Sequence, residues 1–233
     1  MDNDSDLYFR QIPVGEMANL VYLVGSRSER KALVVDPAWS VDALVDQAEA
    51  DDIEIVGALV THYHQDHIGG SIFGMEIEGL EHFMTRSPGP IHVQKLEADG
   101  VSKVSGIPKS EFQEHSGGDT IELGGITVRL LHTPGHTPGS QCFLVEEAGR
   151  PAQLVSGDTL FLGSCGRVDL PGSNPEHMYE SLNGTLRKLP DETLVFPGHL
   201  YSEEAQSTIG EQKETNPFLR VANLETFLQF MGA

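Results

Sequence analysis

Three histidines and one aspartate lie within six residues of one another, directly after an apolar run of strand length. The run spans Ile53 to Val60, and the cluster that follows it comprises His62, His64, Asp66 and His67. A continuous apolar run of this kind is typical of a β-strand that is covered on both faces. Imidazole nitrogens and carboxylate oxygens are ligands that zinc and similar ions accept. The sequence therefore predicts a metal site on a loop at the end of a buried strand.

Three further candidate ligands occupy the same kind of position. A predicted strand precedes each of His136, Asp158 and His199, and each of these strands runs into a loop that contains glycine or proline. Loops that are held by a rigid scaffold commonly carry functional side chains. We therefore expect these three residues to join the His-rich segment in one site.

The rest of the chain mixes short strands with helices. Strands are predicted at Leu7 to Val14, Leu20 to Gly25 and Ala32 to Asp36. Ser40 can cap a helix whose apolar residues recur at helical spacing, and Asn174 followed by proline marks the start of a later helix. Two more helical segments are predicted from about Ser202 and Asn216. The segment Gly74 to Pro90 shows no clear period, which predicts a loop beside the site.

Charge and composition narrow the range of partners. The formal net charge is -20, from 35 acidic and 15 basic residues, and such a surface repels nucleic acids and anionic membranes. No apolar run approaches the roughly 20 residues of a membrane helix. The start of the chain, Met1 to Asp6, lacks the features of a secretory signal, and two cysteines are too few for a disulfide scaffold. These features predict a cytoplasmic protein with a small-molecule substrate, and they leave its oligomeric state open.

The four motifs resemble the metal-binding motifs of the metallo-β-lactamase superfamily. The first, H-x-H-x-D-H at residues 62–67, matches at every liganding position, and the segments around His136, Asp158 and His199 resemble the remaining motifs in the right order. The resemblance covers nearly the whole chain. It implies an α/β fold in which two mixed β-sheets pack face to face between outer helices, a four-layered αββα sandwich. It also implies a single domain over residues 1–233.

The same resemblance implies a site for two divalent metal ions, with Zn²⁺ expected and Mn²⁺ as the alternative. The first ion would be held by His62, His64 and His136. The second ion would be held by Asp66, His67 and His199. Asp158 would bridge the two ions together with a hydroxide that attacks the substrate. Asp66 and Asp158 are the predicted catalytic residues, since they would orient this nucleophile and the other ligands.

Two branches of the superfamily are similar to this chain in detail. Glyoxalase II is matched by residues 157–161 and 216–220, and persulfide dioxygenase is matched by residues 165–169 and 171–173. The dioxygenase keeps the scaffold but uses a single Fe²⁺, which it binds at positions matching His62, His136 and Asp158. Because both branches retain these three residues, ligand identity does not separate zinc hydrolysis from iron oxygenation.

One departure from glyoxalase II limits the substrate. Only 34 residues follow His199, too few for the long helical C-terminal domain with which glyoxalase II grips glutathione, so we expect no such domain. Hydrolysis of small esters or thioesters remains the implied activity. Thioesters are favoured over lactones, because a thiolate of pKa about 8.5 leaves without help from a proton donor. Arg167 and Tyr201 are the candidate substrate-binding residues.

Three alternatives to the thioesterase or esterase stay open. The chain could be a mononuclear iron persulfide dioxygenase or a lactonase. It could also be a metal-binding module that performs no turnover. A ligand set filled at all seven positions argues against the last alternative, since a binding module has no need of an open dinuclear site.

Overall fold

The computed structural model describes residues 5–232, so the first four residues of the acidic start lie outside the described part of the chain. Sixteen strands are found within this range. They are β1 (Leu7–Val14), β2 (Asn19–Ser26), β3 (Lys31–Val35), β4 (Glu54–Leu59), β5 (Gly70–Ile72), β6 (Met75–Ile77), β7 (Ile91–Gln94), β8 (Phe112–His115), β9 (Thr120–Leu123), β10 (Ile126–His132), β11 (Gln141–Glu147), β12 (Gln153–Gly157), β13 (Leu160–Phe161), β14 (Ser164–Cys165), β15 (Leu194–Pro197) and β16 (Ser207–Thr208).

Eight α-helices accompany the strands in the described part of the chain. They are α1 (Val41–Ala50), α2 (Gln65–Ile68), α3 (Leu80–Arg86), α4 (Ala98–Ser105), α5 (Pro175–Tyr179), α6 (Ile209–Thr215), α7 (Pro217–Arg220) and α8 (Leu224–Met231). Helix α5 continues as a wider π-type turn over Glu180–Thr185 and a 3₁₀ turn over Leu186–Lys188, and another 3₁₀ turn covers Lys109–Glu111. Within residues 5–232, none of these helices combines the length and the apolar character needed to cross a bilayer.

The longer strands form two mixed six-stranded sheets. The order in the first sheet is β1-β2-β3-β4-β7-β8, and the order in the second is β16-β15-β12-β11-β10-β9. In the first sheet the strands from β3 to β8 run parallel, while β1, β2 and β3 form antiparallel pairs. In the second sheet only β12 and β15 pair in parallel. Both sheets are therefore mixed, as the resemblance implied.

Strand β2 shows how the sequence separates the layers. All eight of its residues are buried, so it reads as a continuous apolar run. Its side chains alternate in direction, as the period of two in a strand requires. Tyr22 and Val24 face the second sheet, where they pack near Phe143, while Val21 and Leu23 face the helices on the outer side. A strand buried on both faces is what a central layer needs.

Three apolar clusters then define four layers. The first lies between the first sheet and helices α1, α3 and α4, and the second lies between the two sheets. The third lies between the second sheet and helices α5, α6 and α8. This arrangement confirms the predicted αββα sandwich. That the chain is one domain without a separate glutathione-binding domain stays a prediction.

Three local predictions were wrong. The segment Gly74 to Pro90 is not a plain loop, because it contains β6 and the helix Leu80–Arg86, which is held by the buried Phe83. No helix begins near Ser202; the next helix is α6, where the Thr208 side chain accepts a hydrogen bond from the Glu211 amide. Helix α1 begins directly after Ser40, as predicted, but the Ser40 side chain makes no capping hydrogen bond, and the Val41 amide donates to Glu78 instead.

Candidate metal centre

The ends of five strands meet where the two sheets share one edge. Strand β4 leads into the His-rich segment, β10 and β11 flank the loop of His136, and β12 and β15 lead into Asp158 and His199. Two backbone hydrogen bonds join the sheets there: the Gln141 amide donates to the Thr61 carbonyl at 3.0 Å, and the Leu20 amide donates to the Gly198 carbonyl at 2.8 Å. All seven predicted ligands are therefore brought together.

The first cluster consists of His62, His64 and His136. The Nδ1 atom of His64 lies 3.1 Å from Nε2 of His62 and 3.0 Å from Nε2 of His136. Two nitrogen ligands of a tetrahedral zinc ion, each about 2.0–2.1 Å from it, lie about 3.3 Å apart. The three nitrogens thus have nearly the spacing that one ion requires, and they could hold it.

The second cluster consists of Asp66, His67 and His199. The Nε2 atoms of His67 and His199 lie 3.1 Å apart. Oδ2 of Asp66 lies 3.4 Å from each of these two nitrogens. These atoms could hold a second ion with a mixture of nitrogen and oxygen ligands.

The carboxylate of Asp158 lies between the two clusters. Its Oδ2 is 3.6 Å from Nε2 of His136 in the first cluster and 3.4 Å from Nε2 of His199 in the second. Its Oδ1 is 3.4 Å from Nε2 of His67. Among the described residues, no group donates a hydrogen bond to this buried Oδ1. A buried carboxylate oxygen normally has a partner, so a bridging position between two cations fits Asp158 well.

Two glycines allow the chain to close around Asp158. A Cβ atom at Gly198 would lie 2.5 Å from Oδ1 of Asp158, and one at Gly166 would lie 1.8 Å from the carbonyl oxygen of Asp158. Neither distance is compatible with a side chain unless the backbone moves. The packing around Asp158 therefore requires glycine at both Gly166 and Gly198.

Four of the five histidines are oriented by a hydrogen bond from Nδ1, which leaves Nε2 directed at the cluster. The acceptors, each 2.9 Å from the ring nitrogen, are Thr61 Oγ1 for His62, Asp36 Oδ2 for His67, the Arg167 carbonyl for His136 and the Met17 carbonyl for His199. The exception is His64, which presents Nδ1 to its neighbours. Partners of this kind fix the tautomer and the ring direction of metal-binding histidines.

Sequence reasoning missed Asp36. This buried carboxylate accepts hydrogen bonds from the Thr61 amide at 2.7 Å, from the Thr61 hydroxyl at 2.5 Å and from Nδ1 of His67 at 2.9 Å. It therefore orients His67 directly, and through the Thr61 hydroxyl it orients His62. The sequence offered one indication of this role: Asp36 lies at the end of a predicted apolar strand, and the candidate ligands also follow the ends of such strands.

Asn19 is a second residue that sequence reasoning missed. Its side-chain amide donates to Oδ2 of Asp66 at 3.0 Å and to the Asp66 carbonyl at 3.1 Å. The indole of Trp39 donates to the same carbonyl at 3.0 Å. Together these donors fix both the backbone and the carboxylate of Asp66. Nothing in the local sequence around Asn19 indicated this contact, because its partner lies 47 residues away.

The charged groups of Asp158 and of the second cluster favour the binding of cations. Burial raises the pKa of Asp158, but the neighbouring His67 and His199 together lower it by more. The net shift is therefore downward, to about 2. Burial lowers the pKa of His199, but the carboxylates of Asp158 and Asp66 outweigh that effect and raise it. The carboxylates thus attract positive charge, either as protons on histidine or as metal ions. Metal binding here competes with protons and weakens as the pH falls.

The two candidate substrate residues lie at the rim. The ring of Tyr201 is stacked on the ring of His199, with centroids 4.8 Å apart and planes 8° apart, and Phe161 contacts its edge. The exposed guanidinium of Arg167 forms two hydrogen bonds, each 2.9 Å long, with the carboxylate of Asp169. Substrate binding by both residues stays a prediction. In this structure the Arg167 side chain is engaged in a salt bridge with Asp169 within its own loop.

Replacing Asp36 with asparagine is expected to weaken zinc binding about 10- to 100-fold. An amide at this position offers only one acceptor to the three donors of Thr61 and His67, so at least one buried N–H or O–H loses its partner. Competition titrations of the metal-free protein against a chromophoric chelator would measure the change. Asp46→Asn, at an exposed carboxylate on α1 that pairs with Arg86, is the control. Unchanged zinc affinity in Asp36→Asn would contradict the orienting role.

Comparisons with known proteins indicate the family of this chain. The family model described as the metallo-beta-lactamase superfamily matches residues 14–199. The hydroxyacylglutathione hydrolase GloC of Haemophilus influenzae is 31% identical over 199 residues, which cover 82% of this chain and 88% of that protein. The "Probable polyketide biosynthesis zinc-dependent hydrolase BaeB" of Bacillus velezensis is 27% identical over 91% of this chain and 87% of that protein. The crystal structure of ETHE1 from Myxococcus xanthus superposes with a TM-score of 0.79 at 29% identity, covering 97% of this chain and 90% of that one.

Proposed function

Because this chain belongs to the metallo-β-lactamase superfamily, we propose that it is a dinuclear metallohydrolase of small thioesters and esters. The observation that supports this proposal most strongly is the position of Asp158, whose carboxylate contacts histidines of both clusters. A single-metal enzyme needs only His62, His136 and Asp158 for its ion. Here the second cluster is also complete, and Asn19 and Asp36 orient its ligands. Zinc is the metal that we propose for both positions, with manganese as the alternative.

Two divalent ions at these positions would lower the pKa of a water between them towards neutrality and would polarise a substrate carbonyl. The protein's own contribution is to hold seven donor atoms in place. Asp158 and Asp66 supply the negative charge that attracts the cations, and the histidine rings are fixed by their Nδ1 hydrogen bonds. Because these groups are oriented before substrate arrives, little reorganisation accompanies the reaction.

The rim favours a leaving group that departs as an anion. The hydroxyl of Tyr63 donates to the Pro171 carbonyl at 3.1 Å, so its proton is already engaged in a hydrogen bond. Burial, and then the carboxylates of Asp158 and Asp66, raises the pKa of Tyr201 to about 12. This phenol stays protonated at neutral pH and gives up its proton reluctantly. A thiolate, with a pKa of about 8.5, needs no such donor. Thioesters are therefore proposed ahead of lactones.

An assay of the zinc-loaded protein on matched substrates tests this proposal. We expect kcat/KM for a small acyl thioester to exceed that for the lactone and the alkyl ester of the same acyl group by at least about tenfold, since only the thiolate leaves unaided. Release of the free thiol can be followed with a disulfide reagent. Equal rates on all three substrates would contradict the preference for thioesters. No hydrolysis of any of them would contradict the proposed function.

Persulfide oxidation is the second candidate. It is supported by the resemblance of residues 165–169 and 171–173 to persulfide dioxygenases and by the three residues that would bind a single iron, among which His136 and Asp158 lie 3.6 Å apart. The same protein preparation distinguishes the two candidates. Oxygen uptake with glutathione persulfide by the iron-loaded form, without thioester hydrolysis by the zinc-loaded form, would favour the dioxygenase.

A further inference from the structure

A buried carboxylate outside the predicted ligand set lies against the two loops that carry the first cluster. Glu97 immediately precedes α4, and its side chain is fully buried. Burial raises its pKa to about 7, against the effect of the donors that surround it. A desolvated carboxylate destabilises a fold unless hydrogen bonds compensate for the lost water. Hydrogen bonds must therefore compensate for the burial of the Glu97 carboxylate.

The hydrogen bonds of Glu97 reach both loops that carry the first cluster. Oε1 accepts from the hydroxyl of Thr137, at close range, and from the amide of Tyr63 at 3.3 Å. Oε2 accepts from the amide of Gly139 at 3.0 Å. Tyr63 lies between His62 and His64 in the chain, while Thr137 directly follows His136. One carboxylate thus connects the two loops that must keep a fixed separation if they share an ion.

At two glycines the chain around Glu97 lies very close to its neighbours. A Cβ atom at Gly139 would lie 2.6 Å from the amide nitrogen of Glu97 and 2.8 Å from its Oε2. A Cβ atom at Gly100, on α4, would lie 2.5 Å from the ring of Tyr63. Because both positions are glycine, the start of α4 packs directly against both ligand loops.

We infer that Glu97 is a positioning residue for the first metal site, and that it fixes the distance between the loop of His62 and His64 and the loop of His136 before metal binds. This inference rests on the proposed metal centre, but it concerns the metal-free protein as well. Glu97 is not one of the seven candidate ligands, and its hydrogen bonds go to Tyr63, Thr137 and Gly139. Its effect passes through the backbone at Tyr63 and Gly139 and through the Thr137 hydroxyl.

The first test compares Glu97→Gln with wild type. The amide keeps one acceptor oxygen but turns an N–H₂ group towards the donors on the other side, so either the Tyr63 amide or the Gly139 amide loses its acceptor. In the metal-free protein we expect faster hydrogen exchange at the one of these two amides that loses its acceptor. In zinc titrations we expect one of the two bound equivalents to weaken about 10- to 100-fold while the other keeps its affinity. Asp99→Asn, at an exposed carboxylate on α4 that pairs with Lys109, is the matched control and should change neither quantity.

A second pair of variants keeps the inference testable if Glu97→Gln does not fold. Thr137→Ser retains the hydroxyl that donates to Glu97, whereas Thr137→Val replaces it with a methyl group of similar size. We expect weaker binding of the same zinc equivalent in Thr137→Val and wild-type binding in Thr137→Ser. Equal behaviour of the two variants would overturn the inference.

Other outcomes separate the inference from the proposed function. If wild type binds two zinc ions and Glu97→Gln binds both with the same affinity, Glu97 does not position the site, and the proposed function is untouched. If Glu97→Gln weakens both equivalents equally and lowers the free energy of unfolding in proportion, its role is general stability, and the inference is overturned. If wild type binds no metal, the proposed function fails first.

Discussion

Asp158→Asn is expected to lower kcat/KM for thioester hydrolysis by at least about 10³-fold, the upper end of the loss seen when one electrostatic catalytic group is removed. Asp158 is the one described side chain whose carboxylate lies within 3.6 Å of histidine nitrogens in both clusters. The amide has the same shape, but it lacks the negative charge and has only one acceptor oxygen. It can therefore serve one cluster at most. We expect the variant to bind fewer than two zinc ions at zinc concentrations that saturate wild type.

The measurement combines steady-state kinetics with metal analysis of the same samples. Asp52→Asn is a matched control, because it removes an exposed carboxylate just after α1 that pairs with Arg30 and is not one of the candidate ligands. Its activity and metal content should equal those of wild type. An Asp158→Asn variant with wild-type kcat/KM would contradict the bridging role of Asp158.

Removal of the metal is expected to lower the Tm by at least roughly 8 °C. Zinc held at 1,000 times its dissociation constant stabilises the folded state by about 4 kcal/mol, and 1 kcal/mol shifts the Tm of a chain of this size by about 2–4 °C. The physical reason is local. Without cations, the buried carboxylates of Asp66 and Asp158 are balanced only by protons on the histidines around them.

Differential scanning calorimetry before and after chelation would measure this shift. Returning zinc should restore the original Tm, whereas magnesium should not, because it binds poorly to sites rich in imidazole nitrogen. A Tm that is the same with and without zinc would show that the two clusters do not bind it. Recovery with magnesium would point to an oxygen-rich site elsewhere.

Much of the scaffold could be predicted because its signals are local. Strand β1 was predicted at its observed ends, and the apolar run before the His-rich segment became β4 within one residue at each end. The proline after Asn174 also marked the start of a helix correctly, since the Asn174 side chain accepts a hydrogen bond from the His177 amide. Periodicity and capping depend on residues a few positions apart, so the chain displays them directly.

The supporting residues of the site could not be predicted in the same way. Asn19 and Asp66 are 47 positions apart, and Glu97 and Thr137 are 40 positions apart, so only the folded chain joins them. The helix α3 was missed for a different reason. It has seven residues, too few to show a helical period, and the burial of Phe83 rather than local propensity holds it in place.

The metal content of the protein, purified anaerobically without added metal or chelator and measured by mass spectrometry, decides whether the site is dinuclear. Two clusters that share Asp158 predict two ions per chain, zinc or manganese, in the wild-type protein. A single iron per chain would contradict the dinuclear hydrolase and support the dioxygenase. A protein that contains no metal, and that takes up none when zinc is supplied, would contradict both.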